Sequence, residues 1–354
     1  MTASAASGNH GRSPDDTLLA PLPEFSVDDL AEALAKQFGI RGKLARISGE
    51  RDLNFHVSGA DGRSYVFKIS GESDAPDELA FQTAALAHLA SADPALPVPR
   101  VVPGRDGSHV VPHEQNGRRC ALRVLSYLPG EPALNCSIAP ALRRSIGELA
   151  ARLDLGLATF DHPGGDRAFI WDLAQMPALR DKIACLDTGA RRTVAEQVYA
   201  RFADTVLPRA RLLRRQIIHN DLNQNNLLLR DGVISGMIDF GDMTRTYLVA
   251  EIAIAAAHLL YRQEDVLTAM AEVVDGYARI LPLREEEVAV LPALIQARLL
   301  ARELIVAWRR QANPDATTSY RDDVSRLGWA ALARCDALAE GEARQRLAEA
   351  AGLG

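Results

Sequence analysis

Residues 217–243, IIHNDLNQNNLLLRDGVISGMIDFGDM, constrain the fold more than any other stretch of this chain. They set one histidine, four aspartates and four asparagines among Ile, Leu, Val and Met, with no lysine and a single arginine, Arg230. Apolar runs of this strength favour burial, and the polar groups threaded between them then need partners. LLLR and VISGMI read as two strands joined by Asp231-Gly232, a two-residue hairpin signal. An antiparallel pair brings its outer ends together, so Asp221 and Asn226 before one strand meet Asp239 just after the other. His219 precedes them. Either these groups cap and staple a tight loop, or they hold something cationic.

The remainder of the chain narrows the choice. Its 354 residues are 47% hydrophobic and 24% charged, a globular balance that fits one large domain or two modest ones. No apolar run approaches the roughly eighteen residues of a membrane span. With a net charge of −6, nucleic-acid binding would need a local basic patch. The arginines at 191–192 and 209–215 alternate with apolar residues at helical spacing and read as solvated helix faces, so no nucleic-acid or membrane partner is expected. Residues 1–23 show no secretory signal and too little apolar content to fold alone, and read as a flexible tail. Cys120, Cys136, Cys185 and Cys335 are scattered and form no C-x-x-C pair. That favours reduced thiols in a cytoplasmic protein over a disulfide framework or a zinc site.

Periodicity changes once along the chain. SVDDLAEALAKQFG predicts a helix with Ser26 as N-cap, Leu30, Ala33, Leu34 and Phe38 on one face, and Gly39 as its stop. KLARIS, LNFHVSG and SYVFKIS read as strands, the last two joined through Asp61-Gly62. A helix follows over DELAFQTAALAHLA, with Asp74 as N-cap and Pro76 in its first turn. HVVPHEQ and RRCALRVLSYL flank Asn116-Gly117, a further hairpin signal. Beyond Pro129-Gly130 the pattern is helical nearly to the end, residues 217–243 excepted. The expected organisation is a tail over 1–23, a small α+β lobe over 24–127 and a larger helical lobe over 128–354. A cleft between two such lobes is the natural place for a ligand.

Two carboxylates and an amide carbonyl are oxygen-only ligands, suited to a hard cation that keeps some waters: Mg²⁺ rather than zinc. Magnesium held in this way is generally shared with substrate phosphates. H-x-D-x-x-x-x-N, formed by His219, Asp221 and Asn226, followed by the D-F-G that begins at Asp239, is the arrangement of kinase sites. There one Asp orients a hydroxyl and accepts its proton, while the Asn and the second Asp hold metal. Any one of these residues is equally well explained by a turn that bonds its own backbone. Both motifs together, across one hairpin, favour the kinase reading.

A kinase needs further parts in the first lobe. SYVFKIS supplies Lys68 for the nucleotide phosphates, on the strand face of Val66, which is expected to pack on a purine. The plainer alternative is a lysine that solubilises a strand edge. Glu78, in DELAFQ, is the expected partner of Lys68, with Glu72 a weaker substitute, although an acid in a helix's first turn is favourable for the dipole alone. The loop over the phosphates is expected at ISGERDLNF, whose one glycine is Gly49. The hinge is expected at LRVLSYLPG, where the backbone of Ser126, Tyr127 and Leu128 faces the base and leaves ATP and GTP undistinguished.

With these parts in place the chain resembles the aminoglycoside phosphotransferase/choline kinase family, over residues from about 25 to 335. GERDLNF, Asp172 in FIWDL, ISGMIDFGDMTRTYLVAEIAIA and LRVLSYLPG together resemble its hydroxylysine kinase branch. The resemblance implies an α+β, bilobal protein-kinase-like fold with a small β-rich N-lobe and a larger, mainly helical C-lobe. It implies Asp221 as catalytic base, Asn226 and Asp239 as Mg²⁺ ligands, and Lys68 with Glu78 as the phosphate-anchoring pair. Glu251 falls where the family has an acid that braces the catalytic loop. The helix YLVAEIAIAAAHLLY is apolar nearly all round, so Glu251 should be buried with a partner, for which His219 or Arg245 would serve. This chain departs from the family in having Asn220 where Gly is common between the loop His and Asp. Asparagine tolerates the left-handed backbone better than most residues, so the loop is expected to persist.

The expected partners are a nucleotide, ATP or GTP, and a small-molecule acceptor; the sequence does not address the oligomeric state. Asp242, Asp172, Trp171 and Arg245 are candidates for the acceptor pocket, with Arg302 a further candidate for a carboxylate. Asp172 reads equally well as a helix N-cap and Trp171 as packing between helices. Hydroxylated amino acids or amino alcohols fit best; aminoglycosides or other antibiotics are the alternative acceptors, and a regulatory pseudokinase the alternative class. A protein substrate is disfavoured, because no A-P-E segment follows D-F-G and a helix is expected within a few residues.

Overall fold

The computed structural model describes residues 25–49, 52–71, 76–115, 117–312 and 322–354. The expected tail over 1–23, Glu72, the Asp74 cap and Asn116 lie outside them. The chain divides into two compact units: one runs to Thr83 and resumes over Val101–Tyr127, and the other comprises Ala84–Arg100 and Leu128–Gly354.

In the first unit, Ser26 caps α1 (Val27–Phe38), its hydroxyl accepting the Asp29 amide at 3.1 Å, and Gly39 closes the helix with φ 73°. The strands β1 (Gly42–Ile47), β2 (Leu53–Gly59) and β3 (Ser64–Ser70) follow, then α2 (Pro76–Ala92), which starts in this unit and ends in the other. After it come β4 (Val101–Val102), β5 (Val111–Gln115) and β6 (Arg118–Ser126). The sheet is antiparallel, in the order β1-β2-β3-β6-β4, with β5 also paired to β6. Strict alternation sends Leu53, Phe55, Val57, Tyr65, Phe67 and Ile69 into one core with Leu30, Leu34 and Phe38 of α1. The same alternation turns Asn54, Val66 and Lys68 to the other face, where Asn54 lies opposite Lys68 and Lys68 opposite Arg123.

After the end of α2, the second unit continues with β7 (Glu131–Pro132) and α3 (Pro140–Leu157). A run of 3-10 turns over Leu173–Cys185 follows, in place of a regular helix; Pro177 lies inside it, where a missing N–H and a ring clash disfavour the α form. Next come α4 (Ala190–Thr205), β8 (Arg215–Ile218), β9 (Leu227–Arg230), β10 (Val233–Met237) and β11 (Thr244–Tyr247). The chain ends in α5 (Val249–Leu259), α6 (Val266–Ala278), α7 (Glu285–Ala312), α8 (Asp322–Asp336) and α9 (Glu340–Ala350). Helices α3 and α6 touch backbone to backbone: a Cβ on Gly147 would lie 2.0 Å from the Val273 carbonyl oxygen, and one on Gly276 2.0 Å from that of Arg144.

The hairpin expected around Asp231-Gly232 is present. Both residues have positive φ, 53° and 76°, as a type I′ turn requires, and Val233 pairs with Arg230. Helix α5 does not follow D-F-G at once. Strand β11 intervenes and pairs antiparallel with β8, Thr244 opposite Ile218, so residues 215–218 and 244–247 form a second small ladder that a wholly helical reading misses. Among the described residues no helix is long and apolar enough to cross a membrane.

Candidate active site

Between β8 and β9 the chain must turn sharply while keeping its amides satisfied. Asn220 takes φ 67°, the left-handed conformation expected of it. Its N–H donates to Glu251 Oε2 at 2.9 Å and its side-chain amide to the Asp242 carbonyl at 3.2 Å. Glu251 is fully buried in α5; burial pushes its carboxyl up to about 7, and the amides of Asn220 and His219 pull the other way. The partners of Glu251 are therefore backbone amides of the loop, those of Asn220 and of His219, while Arg245 pairs with Asp166 and Asp161 instead. The reason is local: an N–H left over by a left-handed turn needs an acceptor more than a neutral imidazole does.

His219 is equally buried, and burial lowers it to about 4. Its Nδ1 accepts the Asp221 amide at 3.3 Å and its Nε2 lies 3.2 Å from the Ile238 carbonyl oxygen, a pattern that suits one neutral tautomer. The ring thus ties the loop to the segment leading into D-F-G, and it packs in a T-shape with Phe240, the ring centroids 4.7 Å apart.

Asp221 is gripped by side chains at both oxygens. Oδ2 accepts from the amides of Asn223 at 2.9 Å and Asn226 at 2.7 Å, and Oδ1 from Arg298 Nη2 at 3.0 Å. Burial pushes this carboxyl up to about 8, reinforced by Asp242 and Asp239 and opposed by Arg298 and Asn223. The Asn226 Nδ2 also reaches the Asp221 carbonyl, at 3.0 Å, so Oδ1 is the Asn226 atom left to face a cation. The Ile238 amide donates to the Asn226 carbonyl at 2.8 Å, joining the two outer ends of the β9–β10 hairpin. Just beyond, Asp239 has φ 65° and an exposed side chain.

Asn226 Oδ1 and the Asp239 carboxylate fit a hard divalent cation. Among the described residues no cluster of three or more His, Cys, Asp or Glu is placed to hold a metal. So small a protein donor set suits an ion completed by phosphate and water. Arg167 secures the D-F-G segment from outside, with Nη2 2.6 Å from the Gly241 carbonyl oxygen and Nε 3.2 Å from that of Met243.

In the first unit, Lys68 Nζ lies 2.9 Å from Asp52. Asp52 also accepts from Arg123 at 3.0 Å and from the Ser70 hydroxyl at 2.7 Å. Burial alone would raise its pKa, but Lys68, Arg123 and Ser70 together bring it below the usual carboxylate value. Asp52 is absent from the sequence reading, yet the β2–β3 register carries the signal: Leu53 opposite Ile69 places Asp52 beside Ser70 and on the face of Lys68. Glu78 is half-buried in the first turn of α2. At Gly49 a Cβ would lie 2.2 Å from Asn54 Nδ2 and 2.6 Å from the Asp52 carbonyl oxygen, so the loop admits no side chain there. The Tyr127 amide donates to the Ser64 carbonyl at 3.1 Å and its ring meets His56 at 4.5 Å. That donor is spent within the sheet and does not face a base as expected. Ser126 pairs opposite Tyr65, and Leu128, in the second unit, lies against Gly236.

The order of these parts is that of a known family, and residues 43–288 match the profile described as phosphotransferase enzyme family. The chain belongs to this family. It is similar to the hydroxylysine kinase of Bos taurus, 30% identical over 87% of this chain and 88% of that one. It is also similar to the homoserine kinase of Zymomonas mobilis subsp. mobilis, 27% identical over 79% and 87%. Among solved structures, an amicoumacin kinase in complex with AMP-PNP, Ca²⁺ and Ami shares the fold, with a TM-score of 0.67 and 16% identity over 90% of this chain and 97% of that one. The protein is thus a phosphotransferase that acts on an alcohol group of a small molecule, with a kinase-like fold.

The residues expected on this phosphotransferase's acceptor side are mostly engaged in structure. Asp172 is buried, accepts the Ala174 amide at 2.9 Å and the Thr246 hydroxyl, and caps the 3-10 run; the N-cap reading accounts for it. Arg245 pairs with Asp166 at 2.8 Å and with Asp161, and Arg302 pairs with Glu303. Trp171 lies beneath two guanidinium groups, Arg298 at 5.2 Å and Arg309 at 5.7 Å. Asp242 is half-buried, with its carbonyl bound by Asn220. Arg298, which the sequence does not single out, is the cation that meets Asp221. In the sequence its trace is the pair of arginines four residues apart in the largely apolar ALIQARLLARELIV.

Proposed function

We propose that this phosphotransferase moves the γ-phosphoryl group of a magnesium nucleotide, ATP or GTP, onto a hydroxyl of a hydroxylated amino acid or amino alcohol, as a hydroxylysine kinase does. The observation that carries the proposal is the environment of Asp221: a carboxylate held at both oxygens, next to an Asn whose amide nitrogen is consumed and whose carbonyl oxygen is not. Such a carboxylate is fixed in direction, as a base for one acceptor hydroxyl must be.

In this reading Asp221 orients the acceptor hydroxyl and takes its proton. Asn226 and Asp239 hold Mg²⁺, which when bound neutralises charge on the phosphates. Lys68, with Glu78 in the first turn of α2, is the nucleotide-phosphate anchor, and the Gly49 loop and the backbone of Ser126 and Leu128 complete the nucleotide side. Glu251 and His219 are loop braces: one satisfies the left-handed amide and the other ties it to residue 238. No covalent intermediate is needed, and the rate comes from positioning and electrostatics. The cysteines among the described residues are all free, in keeping with a reducing cytoplasmic setting. The acceptor class is supported by the names of the relatives, hydroxylysine kinase and homoserine kinase, both kinases of hydroxy-amino acids. The likeness to an antibiotic kinase, at 16% identity, bears on fold alone.

The test is nucleoside diphosphate release with magnesium and ATP or GTP against 5-hydroxylysine, homoserine, choline, ethanolamine and several aminoglycosides. Turnover on a hydroxy-amino acid or amino alcohol supports the proposal. Turnover confined to an aminoglycoside, or nucleotide binding with no turnover on any acceptor, contradicts it.

A further inference from the structure

We infer that Arg298 is a positioning residue for phosphoryl transfer, and that it makes Oδ1 of Asp221 the atom that receives the acceptor's proton. The inference rests on the assignment of Asp221 as base and adds a residue and an atom to it.

An ionised carboxylate oxygen offers two lone-pair positions. On Asp221, Oδ2 has accepted two hydrogen bonds, from Asn223 and Asn226, and has no position left. Oδ1 has accepted one, from Arg298. An acceptor hydroxyl therefore bonds at Oδ1, beside the guanidinium. In the transfer the hydroxyl O–H bond breaks as O–H forms on Oδ1, the acceptor oxygen bonds phosphorus, and the bond to the nucleoside diphosphate breaks.

Arg298 is built to hold a direction rather than to bind a ligand. It is 3% exposed on α7, and each of its nitrogens has a partner. Nη2 reaches Asp221 at 3.0 Å, Nη1 lies 3.4 Å from the Trp171 carbonyl oxygen, and Nε 3.4 Å from His258 Nε2, with the guanidinium over the Trp171 ring. Of these contacts Asp221 alone is a carboxylate. Arg302, one turn on, is matched by Glu303 instead. Gripping both oxygens stops rotation of the carboxylate, which a clamp on Oδ2 alone would not do. A lysine at 298 would keep the charge and lose the planar fork.

The experiment compares wild type, Arg298→Met, Arg298→Lys, Asp221→Asn and the Asp221→Asn/Arg298→Met double variant on an acceptor that the wild type phosphorylates, with nucleotide affinity and thermal unfolding measured for each. The expected result is a kcat about 100-fold lower in Arg298→Met with the acceptor KM nearly unchanged, and partial recovery in Arg298→Lys. The double variant should be no slower than Asp221→Asn, because Arg298 acts through Asp221. Wild-type kcat in Arg298→Met overturns the inference. So does a loss confined to KM for carboxylate-bearing acceptors, which would make Arg298 a substrate contact, or a double variant slower by the product of the single effects. If Arg298→Met does not fold, Arg298→Lys decides: a kcat equal to wild type overturns the inference, and a reduced kcat with unchanged nucleotide affinity supports it. Absence of any turnover in the wild type defeats the proposed function as well, so the two failures are told apart.

Discussion

The candidate groups of the two units are built on opposite charge plans. In the first, one carboxylate, Asp52, lies between two cations, Lys68 and Arg123, on the sheet face turned away from the α1 core. In the second, one cation, Arg298, meets Asp221 in a neighbourhood that also holds Asp239 and Asp242. The pKa directions follow: cations bring Asp52 below its usual value, while burial and like charges push Asp221 up to about 8. The scaffolds differ as well. Lys68 is placed by strand alternation, whereas Asp221 is placed by a left-handed loop whose every turn is bonded to something behind it. A surplus of cations suits phosphate, and a surplus of oxygens suits a metal and a hydroxyl. Each unit thus carries the polarity its proposed ligand lacks.

The comparison breaks first at Asp221. Asp221→Asn should lower kcat by about 1,000-fold with nucleotide affinity retained, since general base catalysis contributes on the order of 100- to 10,000-fold. Asp221→Ala should also lose about 3 kcal/mol of stability in urea unfolding, because it leaves the buried Arg298 charge uncompensated. An equally stable Ala variant would show that Arg298 does not depend on this partner.

Glu251 offers a pH test. Its carboxyl is raised from 4.5 to about 7, so the folded state favours the protonated form. The contribution is greatest below pH 4.5 and fades as pH rises through about 7. Relative to Glu251→Gln, the wild type should lose about 3 kcal/mol between these limits, read from urea midpoints at several pH values. Parallel pH profiles for the two proteins would contradict the buried-acid reading.

Lys68→Met should weaken the first unit's half of the comparison alone. Nucleotide kcat/KM falls by about 10- to 100-fold, the worth of a charge-assisted contact. Arg123 still serves Asp52, so the melting temperature should barely move. The smallest effect is expected at Asn220: Asn220→Ala, strained at φ 67°, should cost about 1 kcal/mol of stability, and Asn220→Gly less. Equal unfolding midpoints for these two variants would show that the left-handed turn imposes no demand.

Much of the fold is legible in the sequence because local signals agree. Ser26 and Gly39 bound α1, Asp61-Gly62 and Asp231-Gly232 set two hairpins, and alternation in SYVFKIS puts Lys68 on the face of Val66. The β8–β11 ladder escapes notice because each strand has four residues and pairs at long range. The 3-10 run escapes because its periodicity is helical while Pro177 forbids the helix. At the site, His219, Asp221, Asn226 and Asp239 are legible by spacing, and the hairpin brings them together. Arg298 is not, since nothing local reports that an arginine some 77 positions away in the chain faces Asp221. Asp52 hides in a loop until the β2–β3 register is drawn. For Arg245 and Asp172 the sequence near the motif does not show the partners they have, Asp166 and Asp161 for the first, Thr246 and the Ala174 amide for the second.

The most direct measurement is phosphorus NMR of wild-type enzyme, magnesium nucleotide and 5-hydroxylysine or homoserine, repeated with Asp221→Asn. The prediction is a phosphate-ester signal on the acceptor that appears with stoichiometric nucleoside diphosphate and is abolished in the variant. Ester formation that persists at the wild-type rate in Asp221→Asn, or nucleotide cleavage to free phosphate without an ester, would contradict the assignment of this loop as the catalytic centre.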